Sequence, residues 1–163
     1  MAQENTAECE VVSVNISKKK GVSKVPVPEI QIDGRGIVGD SHAGDWHRQI
    51  SLIAAESVER FGADKGCAFS HGDFAENITT RGIDLSSLAP FDRLVIGAVE
   101  LEVTQIGKKC HGGDCAIFRQ VGECIMPREG IFCRVIRGGT VAAGSRITLA
   151  RRTLRCRVIT VSD

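Results

Sequence analysis

The sequence predicts a mostly β protein, a sandwich or barrel with a few short helices. Eighteen glycines are spread through the 163 residues. Short runs rich in valine and isoleucine lie between these glycines, a pattern typical of short strands joined by tight turns. The clearest strand is Ala98–Ile106, in which Val99, Leu101 and Val103 share one face while polar side chains occupy the other.

The same reading of apolar runs and turn residues predicts seven further strands along the chain. They are expected at Glu10–Ile16, Glu29–Ile32, Gln49–Ile53, Asn77–Thr80, Arg93–Ile96, Ile131–Ile136 and Arg146–Leu149. The dipeptide Gly138-Gly139, between Val-Ile-Arg and Thr-Val-Ala, predicts a tight turn after the seventh of the eight strands.

Helices are expected to be few. Ala54–Phe61 places its apolar residues on one face, and Gly62 fits just past the end of such a helix. A single helical turn is predicted at Asp84–Leu88, with Pro90 stopping it. Ala116–Val121 fits either a helix or a strand.

Composition restricts the class of protein. Hydrophobic residues make up 42% and charged residues 25% of the chain, which is typical of a soluble globular domain. The net charge of +1 provides no global field for nucleic acid or an anionic membrane, so neither is an expected partner. The polar N-terminus does not resemble a secretory signal, and a cytoplasmic location is expected. Seven cysteines, an odd number, are then expected to be thiols.

The chain divides into a main domain over residues 1–150 and a tail over 151–163. The tail combines a basic stretch, ARRTLR, with a strong strand pattern that ends at Asp163. Two interpretations remain open: an edge strand that closes the sheet, or the opening strand of a second, truncated domain.

The segment Thr104–Arg134 contains four of the seven cysteines, and its sharpest chemical feature is Lys108-Lys109-Cys110-His111. Two ammonium groups and an imidazole beside a thiol favour the thiolate, which is a nucleophile, a sulfur carrier and a soft-metal ligand. The loop follows a predicted strand, where reactive side chains are commonly presented. The alternative is an inert buried cysteine, but the charged neighbours argue against burial.

The other cysteines allow two further interpretations. Cys110 and Cys115 would form a disulfide in an oxidising compartment. Cys110, His111, Cys115 and Cys124 would form a zinc site, although gaps of four and eight residues lack the paired spacing of structural zinc ligands. A related alternative is a non-enzymatic scaffold stabilised by zinc through Cys115, Cys124 and Cys133.

Two more groups of polar residues could contribute to a site. Gly39-Asp40-Ser41-His42 places a carboxylate beside an imidazole, which suits a metal or polar ligand but is also ordinary turn chemistry. Arg128 follows Pro127 in a turn-like break before a strand, where a guanidinium could clamp a phosphate. The remaining basic residues singled out are Lys18, Lys19, Lys20, Lys24, Arg35 and Arg134.

Taken together, these segments resemble the MOSC domain, the family named after the C-terminal domain of molybdenum-cofactor sulfurase. The matching segments are KKGVSKVPV (Lys19–Val27), GRGIVGDSHAG (Gly34–Gly44), ISLIAAESV (Ile50–Val58), the stretch Asp73–His111, and GECIMPREGIFCRVIRGG (Gly122–Gly139). The resemblance covers roughly residues 10 to 149, with order and spacing agreeing throughout. RVITVSD at the end of the chain resembles the first strand of molybdopterin-binding domains, as in a natural fusion.

Two positions depart from the family pattern. Family members commonly read Gly-Glu-Asn where this chain has Ala75-Glu76-Asn77, and many carry proline where Lys109 precedes Cys110. The second departure, lysine in place of proline before the cysteine, is similar to a bacterial subgroup of small stand-alone MOSC proteins.

The resemblance implies a β-barrel-like fold, similar to the β-barrel of pyruvate kinase, and a role in handling molybdenum cofactor or its sulfur. Cys110 would carry a persulfide, as a sulfurtransferase-like acceptor, or ligate molybdenum, with His111 beside it. Basic residues would hold the pterin phosphate. The residues expected to line the cofactor pocket are Lys108, Lys109, Arg128, Asp40, His42, Glu76 and Asn77.

Partners follow from the same resemblance. A pyridoxal-phosphate domain has no room beside this core, so a cysteine desulfurase-type partner would supply the sulfur. A molybdoenzyme or a cofactor-synthesis protein would receive the product. The alternative activity is reduction of N-hydroxylated substrates by the bound cofactor, which would need an electron-donating partner.

Overall fold

The computed structural model describes residues 9–110, 113 and 115–151. The strands are β1 Glu10–Ile16, β2 Val25–Val27, β3 Glu29–Asp33, β4 Gly36–Ile37, β5 Ile50–Ala54, β6 Ile78–Arg81, β7 Arg93–Ile96, β8 Val99–Ile106, β9 Ile131–Arg137, β10 Gly139–Ala142 and β11 Ile147–Ala150. The helices are α1 Ala55–Lys65, α2 Ala116–Val121 and α3 Met126–Glu129, with a single 3-10 turn at Leu85–Ser87.

The prediction of a mostly β fold with a few short helices is confirmed. All eight predicted strands are present, each within one residue of its expected bounds. The ambiguous segment Ala116–Val121 is a helix. The strands β2, β4 and β10 were not predicted; β2 and β4, with three and two residues, are too short to show an alternating pattern.

The strands form two sheets. The larger has eight strands in the order β11-β7-β8-β9-β5-β6-β1-β2, and the smaller has the order β10-β3-β4. Among the described strands, only β5 and β6, joined by α1, pair in parallel. At the far edge, the amide of Ile147 in β11 donates to the carbonyl of Cys9 at 2.7 Å, and the amide of Val11 donates to Ser145 at 2.9 Å. The large sheet therefore curves until β11 meets β1, which gives the fold its barrel-like form.

Two apolar clusters stabilise this arrangement. The larger fills the space enclosed by the strands and takes the inward side chains of β8 as the sequence predicts, with Val99, Leu101 and Val103 fully buried. The smaller lies where the helices cover the large sheet; its buried members are Ile53, Val58, Phe61, Phe74, Ile117, Ile125, Met126 and Phe132. Burial of these side chains is the main stabilising contribution to the fold.

The predicted end of α1 at Gly62 is wrong. The helix continues to Lys65 and ends at Gly66, which adopts a left-handed conformation with φ 66° and donates its amide to Ala63. Gly62 serves packing instead, since a Cβ there would lie 2.6 Å from the carbonyl oxygen of Cys67. The glycine marks a close approach of backbone, which the sequence does not distinguish from a helix end.

The tight turn predicted at Gly138-Gly139 does not form a hairpin. β10 pairs with β3 in the smaller sheet, whereas β9 remains in the larger one. A Cβ at Gly138 would lie 2.3 Å from the carbonyl oxygen of Ile32. The two glycines therefore allow the chain to cross between the sheets at close range.

Within the part of the chain that is described, no helix has the length and apolar character needed to cross a membrane. The interpretations placed on the tail beyond residue 151, and on His111, concern residues outside the described ranges. The division into a main domain and a tail stays a prediction.

Candidate functional site

A cavity of about 450 Å³ opens beside the smaller apolar cluster. Four parts of the chain surround it: the loop between β1 and β2, the loop before β5, the turn before β6, and the region from the end of β8 to β9. These parts are distant in sequence, so the cavity exists only once both sheets have formed. It brings together many of the residues singled out from the sequence.

Cys110 lines this cavity and is exposed. Its loop begins at Gly107, whose amide donates to Gly130 at 2.7 Å, while the amide of Lys108 donates to Pro127 at 3.3 Å. Gly107 has φ 65°, and a Cβ there would lie 2.1 Å from the carbonyl oxygen of Pro127. Only glycine allows this contact, which fixes the start of the cysteine loop against α3.

Of the residues flanking Cys110, Lys108 lines the cavity, whereas Lys109 is exposed and lies outside the lining. His111 lies outside the described residues. The structure thus places one of the two predicted lysines at the same cavity as the thiol.

Asp40 and His42 belong to a buried cluster of charge behind one wall of the cavity. Lys24 Nζ lies 2.5 Å from Asp40 Oδ1, and both side chains are only 1% exposed. The amides of Ser17 and His42 donate to the two oxygens of Asp40, at 3.0 and 2.9 Å. Burial opposes the charge on Asp40, but the hydrogen bonds from His42, Lys24 and Ser17 outweigh it and hold the pKa of this carboxyl well below its usual range.

His42 connects this cluster to the cavity, which it lines. Its Nδ1 lies 3.1 Å from the ammonium group of Lys24. The same nitrogen lies 3.5 Å from Asp40 Oδ2. Lys24 and Asp40 therefore hold the His42 ring in place from the side of Nδ1, and the ring is available to a polar ligand in the cavity.

Glu76 and Asn77 occupy the turn before β6, and only Asn77 lines the cavity. Glu76 is completely buried; its Oε1 accepts from the Gly72 amide at 2.6 Å and from the Thr79 hydroxyl at 2.9 Å. Burial raises the pKa of this carboxyl. Asn77 Oδ1 accepts from the amide and hydroxyl of Ser51, both at 3.1 Å. Glu76 therefore shapes the turn, and Asn77 joins it to β5.

Arg48 is the cation that the sequence analysis missed. It lines the cavity with its guanidinium carbon 4.9 Å from the ring centre of Trp46 and 5.7 Å from that of Phe132. Its Nε is buried and has no hydrogen-bond partner among the described residues. A guanidinium held by two aromatic rings with an unused donor is suited to an anionic ligand. The signal in the sequence was the chain's single tryptophan two residues before an arginine.

Other predicted cations lie elsewhere. Arg128 is exposed and pairs with Glu123 at 2.8 Å, outside the cavity lining. Arg134 pairs with the buried Glu102 at 2.7 Å, and Arg35 pairs with Asp45 at the surface. Of the lysines at positions 18–20, only Lys20 lines the cavity. The cations that line the cavity are therefore Arg48, Lys20 and Lys108, and Arg128 is not among them.

Three thiols line the cavity, those of Cys110, Cys115 and Cys124. Burial is the main cause that raises the pKa of Cys124 to about 11, and Cys110 and Cys115 add to the shift. Cys133 is fully buried in the larger apolar cluster, where burial raises the pKa of its thiol further.

The structure does not support a zinc site. Cys133 lies in a different apolar cluster from Cys115 and Cys124, and no group of three metal-ligating side chains forms among the described residues. In the same ranges the cysteines are thiols, so the disulfide between Cys110 and Cys115 is not formed.

Ala75, at the rim of the cavity, has a left-handed backbone with φ 60°. This is the position at which the sequence departs from the Gly-Glu-Asn pattern. Glycine adopts such a conformation without strain, whereas a Cβ makes it unfavourable. The amide of Ala75 donates to Gly72 at 2.9 Å, which holds the turn in place despite this cost.

Comparison with known proteins agrees with this fold. The sequence profile of the MOSC domain matches residues 39–148, well over half of the chain. The chain therefore belongs to the MOSC domain family, which is linked in general to binding or sulfuration of molybdenum cofactor. A search of curated proteins found no match.

Solved structures share the fold. YuaD from Bacillus subtilis superposes with a TM-score of 0.72 at 20% identity, covering 86% of this chain and 94% of that one. YiiM from Geobacillus stearothermophilus gives 0.70 at 22% identity, covering 88% and 76%. YiiM from Escherichia coli gives 0.60 at 19% identity, covering 90% and 70%. At these identities the likeness establishes the fold, and the resemblance noted from the sequence is confirmed.

Replacing Asp40 with asparagine is expected to lower the free energy of unfolding by about 3–5 kcal/mol at pH 7, because it leaves the Lys24 ammonium buried without a counter-charge. The control is Asp45→Asn, which breaks the exposed pair with Arg35 and should change stability little. Urea unfolding measures both. A loss no larger for Asp40→Asn than for Asp45→Asn would contradict the structural role of the buried pair.

The same pair has a pH signature. The pKa of Asp40 is lower in the folded state than in the unfolded chain, where it is about 3.9. Its charge therefore stabilises the folded state fully above about pH 3.9, and this contribution is lost as the pH falls through the pKa of the folded state. The stability difference between wild type and Asp40→Asn should therefore narrow when unfolding is measured in acid.

Replacing Ala75 with glycine is expected to raise the free energy of unfolding by about 1 kcal/mol, since it removes backbone strain that outweighs the added freedom of the unfolded chain. Ala98→Gly, at a position without positive φ, is the matched control and should lower stability. Thermal or urea unfolding of the two variants compares the signs directly. A loss of stability in both would show that φ at residue 75 imposes no strain.

Proposed function

We propose that this chain binds molybdenum cofactor in the 450 Å³ cavity and that Cys110 accepts sulfur there as a persulfide for sulfuration of the cofactor. One observation carries the proposal: an exposed thiol shares a cavity with Lys20, Lys108 and Arg48. An anionic ligand and a reactive sulfur are therefore brought to the same place. Family membership supports the general role in molybdenum-cofactor chemistry.

The residues present fit a phosphorylated, planar cofactor. A volume of about 450 Å³ is within the range of small-molecule sites, roughly 300–1,000 Å³. Trp46 and Phe132 supply aromatic surface, and Arg48 supplies a buried donor without a partner among the described residues. When bound, the cofactor would supply a molybdenum centre to which sulfur can be added.

The chain's own residues have separable roles in this proposal. Arg48, Lys20 and Lys108 neutralise the phosphate of the ligand. His42 forms a hydrogen bond with a polar group of the ring. Asn77, whose amide is hydrogen-bonded to Ser51 and Asn15, fixes the turn that lines the cavity. Asp40 and Lys24 act indirectly, because they position His42. Glu76 likewise acts by holding the turn that carries Asn77.

The sulfur would come from a partner of the cysteine-desulfurase class. The terminal sulfur of the donor's persulfide is transferred to the Cys110 sulfur, and the donor returns to its thiol. No oxidant is consumed, because the sulfane sulfur keeps its oxidation state in the exchange. A molybdoenzyme or a cofactor-synthesis protein would then take the sulfurated product.

Incubating the purified chain with a cysteine desulfurase and cysteine is expected to add the mass of one sulfur atom to wild type and none to Cys110→Ala. Whole-protein mass spectrometry without reductant measures the gain at early times of the incubation. Cys67→Ala is the matched control, because Cys67 is half-buried outside the cavity lining, and it should gain sulfur like wild type. The same gain in Cys110→Ala would remove Cys110 as the acceptor.

A further inference from the structure

The cavity contains more thiols than a sulfur carrier needs. Cys110, Cys115 and Cys124 all line it, and they come from three consecutive segments: the loop after β8, the residue before α2, and the connection between α2 and α3. The proposed function uses only Cys110. Two further thiols at the wall of one small cavity require their own explanation.

The backbone places Cys124 on the segment to which the Cys110 loop is anchored. The amides of Gly107 and Lys108 donate to Gly130 and Pro127, which follow Cys124 by a few residues along α3. Cys124 is half-buried against the smaller apolar cluster, and it lies within electrostatic reach of both Cys110 and Cys115. A second thiol is thus held on a packed wall beside an exposed one.

We propose that Cys124 is the resolving thiol that discharges the sulfur carried on Cys110. This inference rests on the proposed function, since it requires the persulfide. The fold supplies a second thiol on a separate segment that lines the same cavity as Cys110.

The step balances without an external oxidant. The sulfur of the Cys124 thiol attacks the Cys110 sulfur that is bonded to the terminal sulfur and gives up its proton as it does so. The persulfide bond breaks, and a Cys110–Cys124 disulfide forms. The terminal sulfur leaves as hydrosulfide after taking up a proton from the Cys124 thiol. The two cysteine sulfurs are oxidised and the sulfane sulfur is reduced by two electrons. A thiol reductant from the medium then restores both thiols.

Cys115 is the less suitable candidate. It directly precedes α2, and its carbonyl accepts from the Arg119 amide at 3.0 Å, so its backbone is committed to the first turn of that helix. No hydrogen bond among the described residues joins that turn to the start of the Cys110 loop, whereas two join the loop to the segment after Cys124. Cys115 therefore provides a matched control at the same cavity.

The test follows the fate of the sulfur after loading. Each protein is charged with cysteine and a cysteine desulfurase, freed of donor, and followed by sulfide assay and mass spectrometry without reductant. Wild type should lose the added sulfur as sulfide and end two hydrogen masses lighter than the starting thiol protein. Cys124→Ser should keep its persulfide and release sulfide at least tenfold more slowly, while Cys115→Ser should behave like wild type. Thermal unfolding checks that both variants fold.

The outcomes separate this inference from the proposed function. If wild type gains no sulfur, the carrier role is wrong and the resolving role fails with it. If wild type gains sulfur but Cys124→Ser discharges as fast, or only Cys115→Ser is slowed, the carrier role stands and the resolving role is overturned. Peptide mapping of the discharged wild-type protein should find Cys110 bonded to Cys124; a Cys110–Cys115 disulfide would also overturn it.

Discussion

The buried ion pair between Lys24 and Asp40 is the interaction on which the rest of the candidate site depends. Both side chains are almost completely excluded from solvent, so neither charge is tolerable without the other. Asp40 also accepts from the amide of Ser17, while the amide of Lys24 donates to Gly72 at 2.8 Å. The pair therefore joins three loops that are far apart in sequence, and those loops form one wall of the cavity.

From this pair, contacts extend outward to the groups that can meet a ligand. Lys24 orients His42, and the indole Nε1 of Trp46 donates to the His42 carbonyl at 2.8 Å. The same indole stacks against the guanidinium of Arg48. The buried Lys24–Asp40 pair thus fixes the position of the His42 ring and, through Trp46, that of the Arg48 guanidinium. The opposite wall is set separately, by the close contact of Gly107 with Pro127 that anchors the Cys110 loop.

The sequence predicted what depends on local pattern. Apolar runs between turn residues located eight of the strands, and the environment of Cys110 singled out a thiol that the structure does place at a cavity. Local pattern did not predict the features that depend on contacts made only in the folded chain. Gly138 looked like a turn, yet it is glycine because the carbonyl of Ile32, from another strand, approaches closely. Gly62 looked like a helix end, yet it lies one turn before the end, where the carbonyl of Cys67 folds back against it. Arg48 had no local motif and gains its place only when β9 brings Phe132 beside it. Arg128 pairs with Glu123 outside the cavity lining, and its role as an anion clamp stays a prediction.

The most direct test of the account uses the chain's single tryptophan, because Trp46 lines the cavity and its fluorescence reports on that site alone. Titrating the protein with isolated molybdenum cofactor should quench this fluorescence in a saturable way, and Arg48→Ala should weaken the apparent affinity by about tenfold or more, the loss expected when a charged hydrogen bond to the ligand is removed. The exposed Arg35→Ala variant should bind like wild type. An absence of saturable quenching in wild type, or equal affinity in Arg48→Ala, would contradict the assignment of this cavity as the cofactor site.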